Sequence, residues 1–229
     1  MLLTEKDIRT IQYCPKYYQF NGAEESTIET RVLNKLHAKI TVLFLKNETI
    51  DVAEIYSSLL SIFNREDLSG CLPADKTNYI NKINIAINDS LKEFDIAKYI
   101  PISGPFIFNK SIGKIAYKFN INGIYKNAKT KTVHFVEFID GTKHSASADV
   151  SIKIKLNAIK KLIPTHHSGR ARAYCHVFYF KNNEIQRSII SSEEIKEENY
   201  SVYSHIIQNE SYFPVLPCYR NCKYKKKCK

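Results

Sequence analysis

The sequence lacks tryptophan and has only seven glycines and one methionine among its 229 residues. It also lacks any run of about 18 apolar residues, so we expect no membrane-spanning helix and no membrane partner. The first ten residues, MLLTEKDIRT, become charged at residue 5, which is not typical of a secretory signal peptide. We therefore expect a cytoplasmic, reducing environment, in which the six cysteines are free or bound to metal rather than paired.

Positive charge is in excess, with a formal net charge of +11. The last twelve residues hold six lysines and arginines and no acid. A basic balance of this kind favours a polyanionic partner, most often nucleic acid, with an anionic membrane surface second. A solvated basic surface with no specific partner is the alternative.

The apolar pattern predicts a single mixed α/β domain over 1–229, with a mixed central sheet flanked by helices. Residues 1–100 are expected to be mainly helical, with helices at 4–13, 26–45, 51–63 and 76–98, the first of them capped by Thr4 with Asp7 three residues on. Residues 105–190 alternate with period two and predict the core sheet, interrupted by a helix at 146–163. Residues 191–229 are expected to form a last helix and a cysteine-rich tail.

The tail, CYRNCKYKKKC, places three cysteines at 218, 222 and 228, and three thiols suggest a fourth ligand elsewhere. Cys175 lies within a predicted strand and is expected to be a buried, inert thiol. Cys71 lies in a turn and indicates nothing. Cys14 differs, because in QYCPKYYQF it follows a helix and precedes a proline and aromatic residues.

This arrangement resembles the iron–sulfur branch of the PD-(D/E)xK nuclease superfamily, which includes CRISPR-associated adaptation nucleases and RecB/AddB-like exonuclease domains. The resemblance covers nearly the whole chain, although the first tail gap has three residues where the family has two. It implies that a 4Fe–4S cluster clasps the N-terminal helix to the tail. Zinc in the same four thiolates is the rival interpretation, and no metal is the third. The ligands that the resemblance implies are Cys14, Cys218, Cys222 and Cys228.

The same resemblance implies catalytic positions. The family histidine corresponds to His37 in RVLNKLHAKI, and the acid of the (D/E)-x-K strand corresponds to Glu137 in VHFVEFIDGT. INGIYKN offers the family glycine as Gly123 but has Tyr125 or Lys126 where the family has aspartate. The family lysine is replaced by Ile139.

With an acid and the lysine missing, Mg²⁺ or Mn²⁺ would lack the oxygen ligands that metal-assisted hydrolysis needs. We therefore expect a catalytically degenerate domain, with His37 and Glu137 as remnants. The alternative is an active metal-dependent exonuclease with a relocated site, in which Asp140 or Asp149 supplies the acid and a lysine of the 146–163 helix supplies the cation.

Basic residues near the expected groove are candidates for phosphate contact. The sequence thus predicts a DNA-binding protein, acting on single strands or ends, with protein partners in phage or other mobile-element DNA metabolism. A structural or partner-binding scaffold that binds no nucleic acid is a further alternative. The candidate nucleic-acid contacts are Lys153, Lys155, Lys160, Lys161, Arg170 and Arg172.

Overall fold

The computed structural model describes most of the chain up to residue 191. Five of the six cysteines (14, 71, 218, 222 and 228) lie outside this part, as do Asp149 and Arg170, so the predicted cysteine clasp stays a prediction. The described ranges are 2–4, 7–10, 27–46, 51–69, 72–95, 98–112, 115–127, 129–130, 132–140, 150–162, 172–181 and 184–191.

Within the described ranges, three long helices belong to the N-terminal half and a fourth follows the central strands, which confirms the predicted fold class. Thr27 caps the first of them by accepting a hydrogen bond from the Thr30 N–H, and Asp51 caps the second by accepting from the Ala53 N–H. No helix in the described ranges is long and apolar enough to cross a membrane. The helices are α1 (Ile28–Leu45), α2 (Val52–Phe63), α3 (Pro73–Phe94) and α4 (Val150–Leu162).

The predicted cap at the start of the chain is confirmed. The Thr4 N–H donates to Asp7 Oδ2 over 2.7 Å, and the Asp7 N–H donates to Thr4 Oγ1 over 3.4 Å. This is a reciprocal capping box, and residues 7–10 behind it are helical. The sequence did not predict the short strand that ends at Thr4.

Eight strands in the described part of the chain form two sheets. A three-stranded sheet has the order β1-β4-β3, and a five-stranded sheet has the order β2-β5-β6-β7-β8. In the larger sheet β6 and β7 are parallel, and α4 connects them, while the other neighbours are antiparallel. The strands are β1 (Leu2–Thr4), β2 (Tyr99–Ser103), β3 (Phe106–Ile112), β4 (Ile115–Ile121), β5 (Ile124–Asn127), β6 (Val133–Asp140), β7 (Ala173–Lys181) and β8 (Glu184–Ser191).

The strands of the predicted core region do not all belong to one sheet, and the segment KIAYKFNINGIY contains the break. The strand is interrupted at Asn122–Gly123, and β4 and β5 belong to different sheets. A Cβ on Gly123 would lie within 2.9 Å of Thr41 Cβ and closer still to the other side-chain atoms of Thr41. Glycine is therefore required where the chain passes from one sheet to the other against α1.

Two hydrophobic clusters hold the five-stranded sheet between its helices. Helices α1, α2 and α3 pack on Tyr125, Val136 and Phe138 on one face. On the other face α4 packs on a cluster that includes Phe135 and Ile139. Since successive residues of a strand point to opposite faces, Glu137 of β6 faces α4.

Candidate functional site

A cavity of about 760 Å³ lies between α1, the three-stranded sheet and β6. Among the described residues, its lining includes four cationic side chains but only one carboxylate, that of Glu137. The lining residues are Thr4, Arg9, Thr30, Arg31, Asn34, Lys35, Ala38, Pro105, Phe106, Ile107, Lys118, Asn120, Ile121, Asn122 and Glu137.

Helix α1 supplies one wall. Arg31 and Lys35 are four residues apart and therefore lie on the same face of the helix, as Asn34 does nearby. Glu66, in the segment after α2, holds both cations: Arg31 Nε donates to Glu66 Oε2 over 2.9 Å, and Lys35 Nζ donates to Glu66 Oε1. Glu66 itself does not line the cavity.

The three-stranded sheet supplies the opposite wall. Lys118 and Asn120 of β4 alternate with the buried rings of Tyr117 and Phe119, so they share one exposed face of the sheet. Ile107 pairs with Asn120 across β3 and β4 and is 57% exposed. This wall therefore combines a cation, a carboxamide and an aliphatic surface.

The innermost part of the site is a buried ion pair. Lys155 of α4 donates from Nζ to Glu137 Oε2 over 2.7 Å, and Arg9 Nη2 lies 3.5 Å from Glu137 Oε1. Arg9 Nε also donates to Ser151 Oγ over 3.3 Å, which joins the helical turn 7–10 to the start of α4. Two cations thus face a single carboxylate that is almost entirely removed from solvent.

The position of Lys155 on α4 explains this contact. Ile152, Leu156 and Ile159 form the buried stripe of the helix, and Lys155 is one turn from Ile152 on the same stripe. Its side chain is fully buried. It therefore meets β6 rather than solvent.

Asn34 connects α1 to β6 and to the point where the chain changes sheets. Its Nδ2 donates to the carbonyls of Phe138, over 2.9 Å, and Thr30, over 3.0 Å. Its Oδ1 accepts from the Phe138 N–H over 3.3 Å and from Asn122 Nδ2 over 2.7 Å.

Neither residue assigned to the position of the missing aspartate, Tyr125 or Lys126, lines the cavity with Glu137. Tyr125 is fully buried, its hydroxyl bonds to Thr41 Oγ1, and burial raises the pKa of its hydroxyl. Lys126 is exposed and does not line the cavity. Tyr125 pairs with His134 and Lys126 with Val133, before β6 reaches Glu137. Asn122, just before β5 begins, lines the cavity together with Glu137.

The structure does not bring His37 and Glu137 together. His37 is 1% exposed and lies against the rings of Tyr125 and Phe138, which belong to the face of the sheet opposite to Glu137. Burial lowers the pKa of His37 to about 3, so its ring is neutral near pH 7. His37 does not line the cavity either, and its geometry gives no support to a catalytic role.

Of the basic residues selected from the sequence, the three whose side chains the structure describes, Lys153, Lys155 and Arg172, do not line this cavity. Lys153 is half-buried on α4, Lys155 is buried against Glu137, and Arg172 is exposed just before β7. Lys160 and Lys161 lie in the last part of α4, and a role in DNA contact stays a prediction for all of them.

The cations that do line the cavity were missed. The sequence carries a signal for two of them, because Arg31 and Lys35 share the polar face of a strongly periodic helix. Arg9 and Lys118 depend on contacts between distant segments and carry no such signal. The four are Arg9, Arg31, Lys35 and Lys118.

In the ranges that the structure describes, no group of three or more histidine, cysteine, aspartate or glutamate side chains could hold a metal ion. Cys175 is a buried thiol in β7, as predicted. Ile139, two residues after Glu137, packs in the α4 cluster where the family motif has its lysine.

Two solved structures resemble the fold at low similarity. A crystal structure of a proposed exonuclease from Eubacterium rectale matches with 9% identity and a TM-score of 0.47, covering 100% of this chain and 88% of that one. A crystal structure of the protein SSO0001 matches with 10% identity and a TM-score of 0.33, covering 90% of this chain and 86% of that one. No family model matches the sequence, and no curated protein matches it. The functional interpretation therefore rests on the cavity.

Proposed function

We propose that the chain is a nuclease-like domain that binds DNA in this cavity without hydrolysing it. The observation that carries the proposal is the pairing of Glu137 with Lys155 and Arg9. This pairing neutralises Glu137, the one carboxylate among the described lining residues. The same lining has four cations. Phosphate groups are attracted to such a surface, and binding releases the counterions of the nucleic acid.

The walls favour an unpaired strand or a strand end as the ligand. The cavity volume is in the range of about 300–1,000 Å³ that is typical of small-ligand sites, which fits a few nucleotides rather than a rigid duplex. Ile107 offers an exposed apolar surface to a base, and the carboxamide of Asn120 beside it can bond to a base edge. Lys118, on the same wall, supplies a charge for phosphate.

The same geometry argues against hydrolysis. Mg²⁺ requires near-octahedral coordination by several oxygen atoms. Glu137 is the only carboxylate that lines the described cavity, and Lys155 bonds to one of its oxygens while Arg9 faces the other. The lysine ammonium therefore supplies, next to Glu137, the positive charge that a metal ion supplies in an active site.

An active exonuclease is the second candidate, and one observation favours it. Lys155 reaches Glu137 from α4, so an acid–lysine pair exists although Ile139 interrupts the motif in sequence. Such a site would still need a second metal ligand, and Asn122 is the residue placed to offer one. Cleavage with Mn²⁺ separates the two candidates.

We further propose the 4Fe–4S cluster on Cys14, Cys218, Cys222 and Cys228, supported by the spacing of these cysteines in the sequence. Zinc is the rival. Absorbance in the near-ultraviolet to blue and the iron and zinc contents of anaerobically purified protein distinguish them. Cys14→Ser should lose the metal and Cys175→Ser should keep it. We also propose that the chain acts with protein partners in phage or other mobile-element DNA metabolism.

The decisive experiment is DNA binding by the full chain to a 5′-labelled single strand and to its duplex between about 50 and 200 mM salt. We expect tighter binding to the single strand and a linear fall of log affinity with log salt. Lys118→Gln should reduce the magnitude of the slope by about 0.7 for a single strand, the contribution of one phosphate contact.

Lys126→Gln is the matched control, because Lys126 is also an exposed strand lysine but does not line the cavity. Equal effects of the two substitutions would place binding elsewhere. Absence of binding by the wild-type chain would favour the scaffold alternative. Cleavage with Mn²⁺ that Glu137→Gln abolishes would establish the exonuclease.

A further inference from the structure

Arg31 and Lys35 carry like charges on one face of α1, and both meet a single carboxylate. The two oxygens of Glu66 are divided between them, with Arg31 Nε on Oε2 and Lys35 Nζ on Oε1. The Glu66 side chain is 5% exposed, whereas those of Arg31 and Lys35 are 27% and 56% exposed. The Glu66 carboxylate is therefore farther from solvent than the side chains of Arg31 and Lys35 that it binds.

The position of Glu66 relative to the cavity indicates how it affects a bound anion. Arg31 and Lys35 line the cavity and Glu66 does not, so the two cations lie between the carboxylate and any bound anion. A carboxylate in the cavity would compete with phosphate for the same donors. One placed behind the donors instead limits their rotation and reduces their mutual repulsion.

We propose that Glu66 is a positioning residue for nucleic-acid binding, which holds Arg31 and Lys35 in the orientation that phosphate requires. This inference rests on the proposed DNA-binding function of the cavity. Long basic side chains lose rotamer freedom when they bind, and each side chain immobilised in advance removes a cost that otherwise weakens the complex by a factor of about 2 to 10. Glu66 acts through the two cations and does not itself contact the ligand.

The two effects of Glu66→Gln have opposite signs, and this makes the inference testable. The substitution raises the net charge by one, so general electrostatic attraction alone predicts tighter DNA binding and a steeper salt dependence. Positioning predicts the reverse. We expect single-strand affinity about fivefold weaker, with a shallower salt slope, because two phosphate contacts are no longer prearranged.

Asp89→Asn is the matched control, because Asp89 is an exposed acid of α3 outside the cavity and its loss adds the same charge. It should leave binding unchanged or slightly tighter. A second test uses Arg31→Gln/Lys35→Gln, in which Glu66 has no cation to hold. In that background Glu66→Gln should cause no further loss of DNA affinity. If Glu66 contacted DNA directly, or only stabilised the fold, its substitution would still weaken binding there.

The outcomes separate the inference from the function on which it rests. If the wild-type chain binds DNA and Glu66→Gln binds as tightly as Asp89→Asn or tighter, Glu66 does not position the cations and the inference is overturned. A loss that persists in the Arg31→Gln/Lys35→Gln background also overturns it. If the wild-type chain does not bind DNA, the proposed function itself fails. Thermal unfolding of each variant shows whether reduced binding reflects reduced folding.

Discussion

Lys155 of α4 and Glu137 of β6 are 18 residues apart in sequence and form a buried ion pair, 2.7 Å from Nζ to Oε2. Lys155 is fully buried and the Glu137 side chain is 5% exposed. A buried charge that loses its partner keeps its desolvation cost. The stability of the domain should therefore depend on the two residues jointly.

We predict that Lys155→Met destabilises the chain by about 3 kcal/mol, at the low end for a broken buried pair because Arg9 still faces Glu137. Urea unfolding measures this. The double variant Glu137→Leu/Lys155→Met should be more stable than Lys155→Met alone, because no unpaired acid remains. If the two substitutions simply add, the pair is not energetically coupled.

Asn122→Asp should create a cation site beside Glu137, because it places a second carboxylate in the same cavity. We expect Mn²⁺ at about ten times its dissociation constant to raise the melting temperature of this variant by about 3 °C and to leave the wild type unchanged. Lys126→Asp is the control, since it adds the same carboxylate at an exposed position. An equal response of the two variants would mean that a carboxylate at position 122 does not share a cation with Glu137.

Gly123→Ala should destabilise the chain by more than about 2 kcal/mol, since the added methyl group would overlap the Thr41 side chain where α1 crosses the break between the sheets. Gly104→Ala provides the comparison. A Cβ on Gly104 would lie 3.3 Å from Leu45 Cδ1, at the end of a flexible side chain, so a much smaller effect is expected. Equal melting temperatures for the two variants would contradict the close approach at Gly123.

The histidines of the five-stranded sheet form a directed chain of hydrogen bonds. Arg187 donates to His176 Nδ1 over 2.7 Å, so the ring proton of His176 is on Nε2, which is 2.9 Å from His134 Nδ1. The His134 proton is consequently on Nε2, 2.6 Å from Thr132 Oγ1. Each ring nitrogen that could take a second proton already accepts a hydrogen bond.

This chain predicts acid sensitivity. Burial first, then the positive charge of Arg187, lowers the pKa of His134 to about 4, and burial, His134 and Arg187 lower that of His176 to about 2. Both pKa values lie below the unfolded value of about 6.5, so the contribution of the two neutral histidines to folding stability is fully present above pH 6.5 and is lost as the pH falls below it. Between the unfolded and folded pKa values, each histidine should lower the free energy of unfolding by about 1.4 kcal/mol for each pH unit of acidification.

Denaturant unfolding at pH 7.5 and pH 5.0 measures this loss. His134→Gln removes one titrating group, so the stability of this variant should depend less steeply on pH, by about one proton. A wild-type stability that does not change between the two pH values would show that these histidines do not titrate with unfolding.

Local patterns in the sequence were sufficient for much of the fold. The spacing of Val32, Leu36 and Ile40 predicted α1, and Thr4 with Asp7 predicted the first cap. The alternation around Glu137 predicted β6. Each of these signals depends on residues within a few positions of one another.

The site depended on distant contacts and was predicted less well. A lysine in an amphipathic helix normally faces solvent, and Lys155 is buried only because β6 brings a carboxylate to it. Asn122–Gly123 is a turn dipeptide within the apolar alternation, but local sequence does not distinguish a turn within one sheet from a change of sheet. Counting along the motif selected Tyr125 or Lys126, whereas Asn122 is the residue that lines the cavity with Glu137.

The hydrogen bonds of Asn34 to β6 allow the cavity beside this strand to remain open. At Phe138, both the N–H and the carbonyl of β6 bond to one side-chain carboxamide, which has the donor and acceptor of a peptide group but no chain on either side. Asn34 thus makes the two hydrogen bonds to Phe138 that a neighbouring strand would otherwise make. The ladder between β5 and β6 can end early without exposing unsatisfied backbone groups, and the space that a longer β5 would fill remains open next to Glu137.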